Sequence, residues 1–231
     1  MSMLLRQIQL SESLEGIARL GVVFFKSLTN SAAAAQGSSA KSDVVWVRLS
    51  GLATELKHSI GDRRPSEIDA VARTRKLYRL VGIDPTKDRP SSEKLLRRAV
   101  RGKPLPRVNT LVDAMNLVSL QLQCPLGVYD WDRIVPPVIV RIGRPDEGYE
   151  GISGDPLRLD GRLVLGDGEG LFGNPSHDSS RTRVTESTVR ALIVAWAPAE
   201  APNSFLESVL SEITQVAEEF CDAKVAEQGI F

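Results

Sequence analysis

The 231 residues include 42% hydrophobic and 25% charged side chains, the mixture of a globular domain with one sizeable core. No stretch approaches the roughly 20 apolar residues of a membrane helix, and two cysteines and two histidines are too few and too scattered for a metal centre. Net charge is zero, yet residues 63–107 hold 14 Lys/Arg against 5 Asp/Glu, while 198–231 hold one Lys against seven acids. One surface therefore suits an anionic partner.

The opening residues have short apolar runs broken by acids, unlike a signal peptide, so cytoplasmic residence without membrane association is the expectation. Residues 21–25 read as a buried strand, and 31–42 as a loop or helix start. A helix is predicted over 44–60, capped by Ser42 or Asp43 and ended by Gly61. A second follows over 65–80, with Gly82 just past its end. A third covers 90–101, with Ser91 or Ser92 as cap. Arg97, Arg98, Arg101 and Lys103 crowd its end, where cations favour the helix dipole; with Arg107 they are the candidate RNA-binding set.

The stretch 104–133 organises the chain. Asn109 is the N-cap of a helix whose apolar stripe is Leu111, Met115, Val118 and Leu122. A second stripe is polar: Asn109, Asp113, Asn116, Ser119 and Gln123, which faces either water or a polar cavity. Cys124-Pro125-Leu126-Gly127 stops the helix, and Val128, Tyr129 and Trp131 alternate with acids as a short strand. Strands are expected at Val138–Ile142, then at 157–160 and 162–165 as a hairpin about Asp160-Gly161. Residues 166–188 read as a long loop, 189–197 as a strand, and about 204–227 as a helix with a Ser204/Glu207 capping box. Its apolar face is Leu206, Val209, Leu210, Ile213, Val216, Ala217 and Phe220. Helices followed by strands indicate α+β rather than alternating βαβ units.

Residues 112–116 (VDAMN) and 125–133 (PLGVYDWDR) resemble the helix-and-strand signature of the editing domain of the phenylalanyl-tRNA synthetase beta chain. In that family VDA-x-N precedes P-L-x-x-x-D-x-D at the same interval. Asp167, Glu169 and Gly170 match its A-D-x-E-G-like turn; Val184, Thr185, Glu186 and Thr188 match its V-T-E-x-T segment. The resemblance implies one editing-type domain over 1–231: N-terminal strand and helices to 103, a core over 104–198, and a C-terminal helix over 199–231. A mostly antiparallel central sheet flanked by helices is implied.

The implied activity is hydrolysis of mischarged aminoacyl-tRNA in trans, without a cofactor or metal. The alternatives are a non-catalytic tRNA- or RNA-binding module and a binder of small amino-acid-like ligands. Such hydrolysis needs an acceptor for the attacking water, donors for the oxyanion and a wall that tests the side chain. Glu186, Asp178 and Asp113 are the candidate acceptors. Asn109, Asn116, Asp167, Glu169, Asn174, Ser176, His177, Ser179, Arg181, Thr182 and Thr188 are the candidate substrate-binding residues. The sequence departs from the family in two places: the His that follows Pro-Leu is here Gly127, and the loop 171–183 (LFGNPSHDSSRTR) is bulkier and more charged than the family's small, glycine-rich one.

Overall fold

Every residue of one strand, β9 (Ala191–Pro198), is buried, because both its faces are covered. Leu192, Val194 and Trp196 point to one side, and Ala191, Ile193, Ala195 and Ala197 to the other, the two-residue period of an extended chain. Each large side chain so buried contributes about 1.5–3 kcal/mol of transfer free energy. The computed structural model describes residues 3–31, 40–61 and 63–231. In it β9 lies between β2 (Ala18–Ser27) and β3 (Leu126–Asp130), and β10 (Lys224–Ile230) flanks β2. All pairings in this sheet are antiparallel.

A second four-stranded sheet runs β1 (Ile8–Leu10), β4 (Val138–Ile142), β7 (Leu163–Asp167), β8 (Gly170–Gly173). Its β1–β4 pair is parallel and the others antiparallel. The two sheets share a core in which Val22, Phe24, Val194 and Trp196 meet Val138, Val140, Leu165 and Phe172. Helices α1 (Ala40–Ile60), α3 (Ser91–Val100), α4 (Thr110–Leu122) and α5 (Asn203–Cys221) supply the core on the far side of the first sheet, and α2 (Asp69–Leu80) packs on β9. A small hairpin, β5 (Gly148–Glu150) with β6 (Pro156–Arg158), stands apart. The architecture is α+β with mostly antiparallel sheets flanked by helices.

Several element boundaries differ from the sequence reading. Residues 157–160 and 162–165 do not form a hairpin. Gly161 does turn the chain, at φ +69°, but its N–H and the Arg162 carbonyl both bond to Gly143, so the two strands enter different sheets. The expected loop 166–188 begins as a β7–β8 hairpin turning at Gly168-Glu169. The last helix stops at Cys221, because Asp222 adopts a left-handed conformation, and residues 224–230 form β10 instead. Neither Ser91, Ser92 nor Ser204 caps its helix with a side chain; prolines 90 and 202 occupy the cap positions. The 65–80 helix divides into a 3-10 turn and α2, and α1 starts at residue 40. Most of the expected 31–42 loop lies outside the described residues.

Candidate functional site

The first turn of α4 is built from both sides. Asn109 caps it by accepting from the Val112 N–H at 3.0 Å. Asn30 accepts from the Leu111 N–H at 3.0 Å and donates to the Thr185 carbonyl at 2.9 Å. The helix start is thereby tied to the segment carrying Glu186. Between them opens a cleft of about 400 Å³. Asn109, Val112 and Asn116 line it from α4, Leu126 and Val128 from β3, and Asp178, Arg183, Val184, Thr185 and Glu186 from the irregular segment after β8. Ser91, Val108 and Ile152 complete the rim.

The polar stripe of α4 therefore splits. Its first part faces the cleft. Its last part ends the helix: Ser119 donates to the Cys124 carbonyl at 2.8 Å, and Gln123, itself left-handed, donates to the Leu120 carbonyl at 2.5 Å. Asp113 belongs to neither group. It is fully buried outside the cleft lining, where one carboxylate oxygen accepts from the Val108 N–H at 3.0 Å and the other has no partner. Burial pushes its carboxyl up to about 6. Its location makes it a support for Val108 rather than a neighbour of a bound substrate.

Asp178 is the acid built into the wall of the cleft. The Tyr129 hydroxyl donates to its Oδ1 at 2.7 Å. Burial pushes the Asp178 carboxyl up to about 7, against the opposing pull of bonds from Tyr129 and the Val128 backbone. Tyr129 is buried edge-on against Phe172, with ring centroids 5.0 Å apart. Its hydroxyl sits between Gly127 and Gly173, and a Cβ at either position would collide with it. Gly127, where the related signature has His, is thus what lets a tyrosine two residues on reach Asp178. Glu186 is exposed at the mouth, in a turn closed by the Thr188 N–H on the Thr185 carbonyl.

The other sequence candidates hold the backbone. Asp167 accepts from Arg181 at 2.8 and 3.1 Å and from the N–H groups of Val135, Glu169 and Gly170. Burial works to raise its carboxyl, but these bonds prevail and hold it below the usual range. Glu169 shares Arg181 at 3.2 Å. Asn174 accepts from the N–H groups of Ser176 and His177, and Ser179 from that of Arg181. Ser176 pairs with Tyr78, and His177 with Lys94 at 2.8 Å. Burial and the Lys94 charge lower the His177 pKa. Thr182 is fully buried with an unpartnered hydroxyl. Thr188 donates to Asp130 at 2.7 Å and so fixes the turn bearing Glu186. None of these nine lines the cleft.

Of the cationic candidates, Arg97, Arg98, Arg101 and Lys103 wall one hollow. Arg107 stands apart, paired with Asp43 at 2.5 Å and lying 5.5 Å over the Trp46 ring. Sequence reasoning missed Tyr129, Ile152 and Val108. The signal for Tyr129 was its two-residue offset from a glycine on a strand. For Ile152 it was an apolar residue between the turn glycines 151 and 154. Among the described residues no group of His, Cys, Asp and Glu is arranged to hold a metal, and no helix is long and apolar enough to cross a membrane.

A family model described as the B3/4 domain matches residues 73–221. The phenylalanine–tRNA ligase beta subunit of Psychrobacter arcticus is 31% identical over 119 residues, which is 51% of this chain and 14% of that protein. The Xylella fastidiosa beta subunit is 33% identical over 129 residues, 51% of this chain and 15% of its own length. The chain thus spans only a small part of these relatives. A solved N-terminal fragment of the phenylalanyl-tRNA synthetase beta-subunit from Pyrococcus horikoshii has a TM-score of 0.45 and 13% identity, over 94% of this chain and 49% of the fragment.

Proposed function

Because the chain belongs to the B3/4 domain family, we propose that it hydrolyses the ester of mischarged aminoacyl-tRNA, acting in trans on tRNA charged elsewhere. The observation that carries this reading is Asp178: a carboxyl with its pKa raised to about 7, fixed by Tyr129 on the wall of a largely apolar cleft. A general base works best with a pKa near the working pH.

The Asp178 carboxylate accepts a proton from a water as its oxygen attacks the ester carbonyl carbon. The tetrahedral oxyanion that forms takes a hydrogen bond from the Asn116 side-chain amide, which lines the same cleft. Collapse breaks the bond to the ribose oxygen, and Asp178 returns its proton to that oxygen. The products are the free amino acid and the tRNA 3′ hydroxyl. Val112, Leu126, Val128 and Val184 form the wall against which the amino-acid side chain is tested. In this reading Glu186 and Arg183 occupy the mouth rather than the reacting centre.

The test is a deacylation screen over a panel of mischarged tRNAs. The expected result is release of amino acid from at least one, lost in Asp178→Asn. Binding of tRNA without hydrolysis of any panel member would instead select the non-catalytic RNA-binding reading, which the basic hollow along α3 favours.

A further inference from the structure

A hollow of about 440 Å³ opens where the ends of α1 and α4 meet the start of α2. It shares no residue with the cleft, and neither the candidate site residues nor the basic set along α3 line it. Five aliphatic side chains, Leu56, Ile60, Ile68, Leu96 and Leu120, supply its apolar wall. The polar remainder is what sets it apart, and it begins with the last member of the α4 polar stripe.

Gln123 lines the hollow and is 7% exposed. It closes α4 in the left-handed conformation, at φ 52°. Its backbone carbonyl accepts from the Thr74 hydroxyl at 3.2 Å, and its side-chain nitrogen donates to the Leu120 carbonyl at 2.5 Å. An amide oxygen in that place would face another oxygen, so this bond fixes which atom is which. The other end of the amide, Oε1, is then a buried acceptor without a partner. Buried polar atoms are nearly always paired. Closing the helix accounts for the nitrogen and leaves the oxygen unexplained.

The surroundings call for a donor that carries positive charge. Helix α4 has no basic residue in its last turn, so nothing on it offsets the negative end of its dipole. Among the described residues, Arg63 is the cation lining the hollow. Its Nε and Nη2 donate to the Ile60 and Ser59 carbonyls at 3.4 and 3.2 Å, which closes α1 instead. Glu67 and Asp69 line the hollow and form no ion pair among the described residues. Glu67 gives one oxygen to the Arg64 N–H at 3.2 Å. Asp69 answers the dipole of α2 from its first turn, which accounts for one acid but not for two, nor for Gln123. A metal ion needs several oxygens around it, and the aliphatic wall does not provide them. An alkylammonium has donors only, and its methylene stem packs on aliphatic side chains as a lysine stem does.

We propose that this hollow binds a linear aliphatic diamine. One ammonium donates to Gln123 Oε1, the methylene chain lies along Leu56, Leu96 and Leu120, and the second ammonium meets Glu67 and Asp69. The site requires neither RNA nor hydrolysis in the cleft.

The experiment titrates 1,4-diaminobutane into the full chain by calorimetry, with butylamine and magnesium chloride as comparisons. The diamine should bind once per chain and raise the melting temperature as its concentration rises. Butylamine, with one ammonium, should bind roughly tenfold more weakly. The Glu67→Gln/Asp69→Asn variant changes two exposed residues and should weaken the diamine by roughly tenfold as well. Gln123→Met keeps the unbranched stem without the oxygen and should weaken diamine and butylamine alike, with a melting curve to check the fold. If Gln123→Met does not fold, the acid-pair variant still decides. Absence of diamine binding overturns the site, as does parental affinity in the acid-pair variant or equal affinity for butylamine. Magnesium ions that bind as tightly as the diamine overturn it too, since charge alone would then suffice.

Discussion

Asp167 and Asp178 lie on the same glycine-rich segment, are both short acids, and have opposite surroundings. Asp167 is saturated with donors: two from Arg181 and three backbone N–H groups. Its charge is the stable form. Asp178 receives only two donors, the Tyr129 hydroxyl and the Val128 backbone N–H, and desolvation outweighs them and pushes its carboxyl up to about 7. An acid with every lone pair taken staples a loop. An acid left short of donors at a cavity wall keeps basicity for something that enters.

The sharpest break in that comparison comes from removing each charge. Asp178→Asn should lower single-turnover deacylation by about 10²–10⁴-fold, while Asp167→Asn should leave the rate per folded molecule within a few-fold. Equal losses in both variants would erase the distinction. The parental rate should rise with pH through about 7 as Asp178 ionises. Stability should move the other way. A carboxyl with a raised pKa holds in the fold a proton that the unfolded chain releases near pH 4, so its stabilising effect is lost as pH rises. Asp113 (about 6) and Asp178 (about 7) both have this sign. Melting followed from pH 4 to 8 should show the decline, and Asp178→Asn should flatten its upper part.

The seat of the Tyr129 hydroxyl gives the next largest effect. Gly127→Ala or Gly173→Ala drives a methyl into it and should cost about 2–3 kcal/mol on chemical denaturation. A neutral result would mean the Tyr129–Asp178 bond is not held by its strands. Asp167→Asn comes third, at about 1–2 kcal/mol, since charge-assisted bonds weaken while the shape persists. Glu186→Gln should change least: under about 0.5 kcal/mol in stability, as for an exposed site, and under about threefold in rate. A hundredfold fall there would transfer the base from Asp178 to Glu186.

Strongly periodic features were legible in the sequence. The α4 stripe, the α5 face, β4 and β9 follow from spacing alone, and the cap at Asn109 is where a reader of caps expects it. What failed depended on partners far along the chain. Residues 224–227 were expected to end the last helix, but they belong to a strand that takes the edge of β2. The Asp160-Gly161 turn is sound locally, but Gly143 decides which strands it joins. At the site, motif matching named Glu186 alongside Asp167, Thr188 and Asp113, and Asp178 stood out only as an acid of the long loop. Only the fold separates acids and hydroxyls at the cleft from those stitching its frame. Tyr129 was only half legible for the same reason: its offset from Gly127 is local, but Gly173 reaches its hydroxyl from another strand.

The pairing of β2 with β9 joins residues 18–25 to residues 191–198, and this has a consequence for how the chain assembles. Contacts this distant in sequence must wait for a large loop to close, and such topologies reach the native state slowly. During synthesis α1 to α4 are made well before β9 and β10, so the sheet under the cleft is among the last parts to form. Until β2 docks, β9 has an open, wholly apolar edge, the kind of strand that recruits other chains. An excised 73–221 segment lacks both β2 and β10. It should therefore misassemble even though it holds every residue of the B3/4 match.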